Sequence, residues 1–269
     1  MGVKGNIKLI FEYLKLNIKK EWQYKSAFIM QIVAMVLNDA FFIIQWLMIF
    51  GFLDGGIENG TIGGYGFKEV MLLWSMNAGS YGISHLFFGG AWNIKKLVYD
   101  AGLDVYFTQP KNMLINVCCS STNISAIGDI IYSFIVLIII KAEWYWFLLI
   151  IPVMIISGCM YVAVYVVYVS LCFYVKGGDA LGHAVESTIT KVCNYPPTIY
   201  SNVVKFIMAT FIPIMFYCFV PVENIFLNFN IWYTLIYILV ATLWIILAFI
   251  CFNMGVKKYN SGSVMGGRM

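Results

Sequence analysis

Polar and apolar positions along this chain separate into long blocks, not into short alternating runs. A helix needs about 20 consecutive apolar residues to cross about 30 Å of hydrocarbon, and blocks of that length recur. They run over residues 26–53, 68–92, 122–140, 144–175, 199–220 and 231–254, which predicts six spanning helices in an all-α fold. The last block is uninterrupted, whereas the second is broken by Asn77, Ser80, Gly82, Ser84 and His85. A Gly-rich turn over residues 55–66 separates the first block from the second, and only residues 141–143 separate the third from the fourth. The fifth is the weakest. Tyr195-Pro196-Pro197 precedes it, Pro213 lies inside it and Pro221 ends it, and each proline removes a helical hydrogen bond. Such a helix either borders a translocation path or packs against neighbours that satisfy the freed backbone groups; both readings stay open.

Two further elements are predicted outside the blocks. In residues 1–25, Ile7, Ile10, Phe11, Leu14 and Ile18 share one helical face, and Lys4, Lys8, Glu12, Lys15 and Lys19 share another, with Leu9 and Leu16 off the pattern. A basic face over an apolar one suits a helix lying in the membrane interface; the plainer reading is a basic juxtamembrane segment. Residues 94–110 interleave Ile94, Leu97, Val98, Leu103 and Phe107 with Lys95, Lys96, Asp100 and Asp104, and Pro110 closes them. That is long for a bare connector and reads as a short amphipathic helix, either a docking surface or a turn lying on lipid. The chain thus divides into an interfacial helix, 1–25, and a membrane domain, 26–269.

Composition agrees with the block pattern. Hydrophobic residues make up 61% and charged residues 11%, against about a quarter charged in a soluble domain, and the mean hydropathy is +0.83. So few charges cannot cover a water-exposed surface, and the chain reads as an integral membrane protein. A net charge of +4 over 269 residues gives no footprint for nucleic acid. The seven cysteines lie in or beside apolar stretches and do not read as a disulfide framework or a zinc site. Lys4, Lys8, Lys15, Lys19, Lys20 and Lys25 precede the first block; Lys95, Lys96 and Lys111 follow the second; Lys176 and Lys191 follow the fourth; Lys257, Lys258 and Arg268 follow the sixth. The opposite side carries only Lys68 and Lys141, so the excess of positive charge places both termini in the cytoplasm. The N-terminus lacks the compact apolar core and small-residue cleavage site of a secretory signal.

Little catalytic chemistry is present. No G-x-x-x-x-G-K-[ST] loop occurs, no G-x-S-x-G elbow occurs, and the two histidines, His85 and His183, have no H-E-x-x-H setting. No catalytic residue and no metal site is therefore expected, and if ATP powers the protein another chain supplies the ATPase. The informative residues are polar groups inside the blocks, because an ionisable side chain in lipid is costly. Asp39 lies beside Asn38 in the first block, with Gln45 further along; Asn77, Tyr81, Ser84 and His85 share one face of the second; Asp129 lies in the third. Such residues line a path or hydrogen-bond between helices.

Together these features resemble the membrane subunit, or permease, of an ATP-binding-cassette exporter of the type-2 export class. A bacterial group of such permeases carries a Gly-Glu-Leu-Asp-x-x-Leu-x-x-Pro stretch after the second span. Residues 101–110 here read Ala-Gly-Leu-Asp-Val-Tyr-Phe-Thr-Gln-Pro, with Leu103, Asp104 and Pro110 in register. The group's Tyr-Pro-x-x-Ile-Tyr stretch is similar to residues 195–200, and the Ile212-Pro213 pair and Pro221 follow it. The closing Lys-Lys-Tyr-x-Ser pattern is similar to Lys257-Lys258-Tyr259-Asn260-Ser261. The chain departs from the pattern at Ala101-Gly102, where Gly-Glu is common, and at Gln109, where a basic residue is common.

The resemblance implies a bacterial plasma-membrane protein that pairs with a second, often non-identical permease above two ATPase subunits, which hold the ATP and Mg. It implies that residues 94–110 are the coupling helix that seats in the ATPase, through Leu97, Val98, Leu103, Asp104, Tyr106, Phe107 and Pro110. Spans two and five line the path in such exporters, which would place Asn77, Tyr81, Ser84 and His85 on it together with Tyr200, Asn202 and Thr210, while Asp39 is a further polar candidate on span one. Residues 219–230 would form short re-entrant or extracellular helices. Other readings are a homodimeric exporter of a cell-surface polymer, a lipid-modifying membrane enzyme, or an assembly or immunity subunit that transports nothing.

Overall fold

The computed structural model describes residues 3–109 and 111–259, without the side chains of residues 3 and 4. The Lys4 side chain, Pro110, Asn260, Ser261 and Arg268, all named above, lie outside the described residues. Within them every regular element is helical, and the one extended pairing is an isolated bridge between Ile62 and Tyr65. Helix α1 (Val3–Glu21) runs through a tight turn at Trp22–Tyr24 into α2 (Lys25–Gly51). There follow α3 (Phe67–Phe88), α4 (Ile94–Tyr99), α5 (Asp104–Phe107), α6 (Met113–Cys119), α7 (Ala126–Ile139), α8 (Trp144–Val169) and α9 (Asp179–Val192). The chain ends with α10 (Asn202–Thr210), the wide-turned α11 (Met215–Leu227) and α12 (Ile231–Val256). Among the described residues three stretches are long and apolar enough to cross a membrane: Gly5–Gly51, Trp144–Phe173 and Ile231–Val256. The bent pair α10–α11 makes a fourth if taken as one span.

Helix α3 is the centre of the bundle. Val70, Met71, Leu72 and Met76 are fully buried, as are Ser75, Ser80 and Ser84, and a helix apolar on all sides belongs inside. It packs most extensively on α7 and α8. Small residues allow that approach: a Cβ at Gly82 would lie 2.8 Å from the Ala126 carbonyl oxygen, and one at Gly158 would lie 2.9 Å from that of Ser80. Ser75 and Ser133 then bond across the α3–α7 seam, each hydroxyl donating to the other's carbonyl at 2.8–2.9 Å. This is how helices associate where lipid removes the hydrophobic drive. By contrast α2 and α12 turn large apolar side chains outward, among them Phe41, Met48, Trp232 and Leu239.

Helix α1 rests on α6 and the turn after it, with the Asn17 amide donating to the Cys119 carbonyl at 3.2 Å and to the Thr122 hydroxyl at 3.0 Å. Its buried residue is Leu9, which stands off the apolar face read from the sequence; Ile7 and Phe11 of that face are half exposed.

The structure redraws the third and fifth blocks and the loop after the fourth. The third, 122–140, shortens to α7, because the turn before α7 is tied by the Asn123 amide to the His85 carbonyl. A separate helix, α6, precedes it, capped by Asn112, which accepts from the Ile115 amide. Helix α7 alone has 14 residues, about 21 Å at 1.5 Å per residue. The stretch after the fourth block, read as a loop carrying Lys176 and Lys191, contains the 14-residue helix α9. Its polar residues suppress the hydropathy signal, while Gly182, Val185 and Ile189 form the buried stripe that packs on the bundle.

The fifth block, 199–220, is not a straight span: α10 and α11 meet at 81°. Pro213 and Pro221 cannot donate i→i−4 bonds, and the backbone relaxes to wider turns, as in the Asn228 amide bonding to the Glu223 carbonyl at 2.8 Å. Both ends of this segment meet the 55–66 turn. The Thr198 hydroxyl donates to the Gly63 carbonyl at 2.6 Å, and Glu223 and Asn228 share a cavity with Tyr65 and Glu69. Between them the chain dips inward, where the Phe211 carbonyl accepts from the Tyr168 hydroxyl at 2.6 Å.

Candidate functional site

At the end of the bundle opposite the 55–66 turn, residues 94–107 form a platform. It is two short helices, not the single helix expected over 94–110. They are joined by a turn in which Ala101 takes a positive φ of 57°, a left-handed conformation that is strained for any residue with a Cβ. Leu103 is fully buried, and Leu97, Val98 and Tyr106 pack half-buried on the same cluster as Ile94, Leu114 and Val166. Val105 and Phe107 point the other way, 64% and 52% exposed. The C-terminal motif closes on this platform: the Tyr259 hydroxyl donates to Asp104 at 3.0 Å, and its ring stacks on Phe107 at 5.9 Å between centroids. Burial, and then Asp104, push the Tyr259 hydroxyl up to about 12, so it stays protonated and remains a donor. Two motifs separated by 155 residues thus form one contact.

The platform is tied to α9. Lys95 Nζ lies 2.7 Å from Asp179 Oδ2, and the Tyr99 hydroxyl accepts from the Gly177 amide at 3.0 Å. The hydrogen bond to Asp179 holds the Lys95 ammonium above its ordinary value of 10.5. The same bond lowers the Asp179 carboxyl below its ordinary value of 3.8. The pair is therefore intact between those two ordinary values, is lost as pH falls through the lowered carboxyl value, and weakens as pH rises past the raised ammonium value. Lys95 is half exposed but Asp179 is buried, so Lys95→Met leaves a buried carboxylate without its cationic partner and is expected to lower the melting temperature, whereas Lys95→Arg is expected to hold it.

Further ties between α3 and α9 step along the bundle. The Trp92 indole donates to Glu186 Oε1 at 2.7 Å, and His85 stacks between Tyr81 and Trp92 with 3.8 Å centroid separations on both sides. Beyond α9, the Asn77 amide donates to Asn194 Oδ1 at 2.8 Å, the Trp74 indole donates to the Asn194 carbonyl at 3.1 Å, and the Tyr217 hydroxyl donates to Asn77 Oδ1 at 3.1 Å. Asn77 therefore joins α3, α9 and α11. Replacing it with Leu strands the Asn194 side-chain oxygen, whereas the Tyr217 hydroxyl keeps the backbone carbonyl of residue 77 at 3.2 Å. Buried unsatisfied groups cost about 1–3 kcal/mol but bonds inside membranes average about 0.6, so a loss near 1 kcal/mol is expected in detergent unfolding.

Of the residues singled out from sequence, the structure brings Asp39, Asn77 and Tyr81 around one mid-helix notch, together with Asp129. Ser84 and His85 lie a turn further along α3, buried with their hydrogen bonds turned to Tyr81. Tyr200, Asn202 and Thr210 are elsewhere: Tyr200 donates to the Val192 carbonyl, Asn202 is exposed at the start of α10, and Thr210 bonds to its own helix. Sequence reading did not single out Trp74, Trp92, Glu186, Thr190 or Asn194. The stripe Gly182, Val185 and Ile189 beside Glu186 was the available signal for a packed helix. Among the described residues no group of three His, Cys, Asp or Glu side chains could hold a metal ion.

A helical bundle with lipid-sized apolar faces, a polar notch at mid-helix and an exposed platform at one end defines a membrane protein of the transporter kind. Residues 41–263 match a family described as ABC-2 family transporter protein, and the chain belongs to that family. It is accordingly an ABC-2 type permease subunit, the class that associates with an ATPase subunit. No curated protein and no solved structure matches the chain.

Proposed function

We propose that this chain is one membrane half of an ATP-driven exporter. It encloses a path with a second permease, expected to be a different chain, and separate ATPase subunits that bind ATP and Mg dock beneath it. The observation that carries this reading is the platform of α4 and α5, which exposes Val105 and Phe107 at the lysine-bearing end while its other face is locked into the bundle. Hydrolysis then belongs to the partner, and this chain is not itself an enzyme.

The same reading gives six crossings: α2, α3, α6 with α7, α8, residues 179–198, and α12. Contacts of Asp179 with Lys95 at one end and of Thr198 with Gly63 at the other support the fifth, and α10–α11 is then a re-entrant hairpin. Both termini lie in the cytoplasm of a bacterial cell. The second permease covers the side between α2 and α9, where the notch opens and where Phe41, Ile44 and Met48 are exposed. ATP closes the ATPase dimer, the platform moves, and the Lys95, Trp92 and Asn77 ties carry that motion into α9 and α3. Coupling requires an element with two arrangements that both sites bias, and α9 is that element here.

Co-purification from mild detergent on an affinity tag tests the reading. Recovery of a cassette ATPase supports it, and a second permease in the same complex establishes the heteromer. Recovery of this chain alone, even after crosslinking, sinks it in favour of an enzyme or an assembly subunit.

A further inference from the structure

The notch at mid-helix is an open cavity of about 300 Å³ between α2, α3, α7 and α9, at the lower end of the range that holds small organic ligands. Asp39 and Asp129 reach it from α2 and α7 and stand within hydrogen-bonding range of each other. They are 5% and 3% exposed. Each has a buried Oδ2 with no hydrogen-bond partner, and the Asp39 Oδ1 is reached only by the Asn38 amide at 3.5 Å. The Tyr132 hydroxyl, one turn from Asp129, is also buried without a partner. Two ionised carboxylates at that range offer acceptors only and repel each other, so the pair is stable either with one proton shared between them or with a positive charge lying against both.

The surroundings select what that is. No Lys, Arg or His lines the notch: α3 contributes Trp74, Asn77 and Tyr81, and α9 and its exit contribute Thr190 and Asn194. The Asn77 amide is already committed to Asn194 and to the Thr190 carbonyl. A bare metal ion would want about six oxygens, and among the described residues no third carboxylate, His or Cys joins the pair. Asn38 is a neutral amide, and Met35, Phe42, Trp74 and Ala78 are apolar walls, with the Phe42 and Trp74 rings 4.3 Å apart. Aromatic faces beside carboxylates are a setting for an organic ammonium.

We propose that this notch binds a protonated amine carried on an apolar body, and that the exported cargo therefore belongs to the amphipathic cations. The proposal rests on the exporter reading for the word cargo, but the site itself does not. Near the middle of α2 and α3, it lies where substrate sites sit in transporters whose helices surround them at the bilayer midplane.

Fluorine NMR on the purified membrane complex, with and without its ATPase, tests this with fluorinated phenethylammonium as the probe. The signal is expected to broaden on adding protein and to sharpen again with excess unlabelled phenethylammonium. Fluorinated phenylethanol, of similar shape but uncharged, is expected to show no such effect. Replacing both carboxylates, Asp39→Asn with Asp129→Asn, is expected to weaken binding at least about tenfold, or about 1.4 kcal/mol. Asp39→Glu, which keeps the charge, is expected to retain binding.

Folding is checked by melting: each Asn brings an amide donor into the notch, so the double variant is expected to melt no lower than the parent chain. The proposal is overturned if the alcohol binds as well as the amine, if the double variant folds and binds unchanged, or if millimolar amine shows no binding. It is also overturned if excess sodium or potassium displaces the probe as well as unlabelled amine does. None of these results bears on whether the ATPase co-purifies, and loss of the ATPase would leave the binding result standing.

Discussion

Replacing Val105 with Asp together with Phe107→Ala is expected to abolish ATP-driven transport, by about tenfold or more, while the protein still inserts, folds and melts as before. Both side chains are mainly exposed on the outer face of the platform, so their loss removes little from the interior. Central apolar and aromatic anchors at protein interfaces are each worth about 2 kcal/mol or more. An introduced carboxylate in a desolvated contact adds a further penalty. The effect is therefore expected on ATPase attachment, seen as loss of the ATPase from the purified complex. Leu103→Asp, by contrast, places a charge at a fully buried position and is expected to damage folding itself. Transport at the normal rate in the Val105 and Phe107 variant would remove the platform from the mechanism.

The second large effect is expected at Gly82. Its Cβ position is 2.8 Å from both the Ala126 carbonyl oxygen and Ile130 Cγ1, and 3.1 Å from the Asp129 Cβ. One of these neighbours is backbone and cannot rotate away. Overpacking ordinarily costs about 1–3 kcal/mol and occasionally more; Gly82→Leu forces α3 and α7 apart along their whole seam, so a loss above about 3 kcal/mol is expected. Out of a typical total of about 5–15 kcal/mol, that is enough to prevent recovery of a monodisperse protein. Gly51→Ala serves as the control, because nothing lies within 4 Å of a Cβ there, and it is expected to be neutral. Equal yields and equal melting for the two variants would contradict the packing described for α3.

Much of the architecture was legible because lipid imposes a coarse code. Apolar length alone marked α2, α8 and α12, and basic residues marked the end that carries the platform. What escaped was whatever that code averages away. Helix α9 has the sequence character of a loop because Glu186, His183 and Lys191 lower its hydropathy, although Glu186 is paired with Trp92 inside the bundle. The 199–220 block is apolar enough to pass as a span, yet the break at Pro213 turns it through 81°. For the site, period 3.6 put Asn77 and Tyr81 on one face correctly, but only tertiary packing brings Asp129 against Asp39 from a different helix. Tyr200, Asn202 and Thr210 were carried over with a span that takes another shape, and they do not reach the notch. The contact of Tyr259 with Asp104 joins residues too far apart in sequence for periodicity to relate them.

The most direct test places a photocrosslinking amino acid at position 105 and, separately, at position 232 of the full-length protein in its native membrane. Both positions are highly exposed, one on the platform and one at the start of α12. Capture of a cassette ATPase from position 105 and not from position 232 is the predicted result. Capture of no ATPase from position 105, or equal capture from both, would contradict the claim that a separate ATPase drives this permease through residues 94–107.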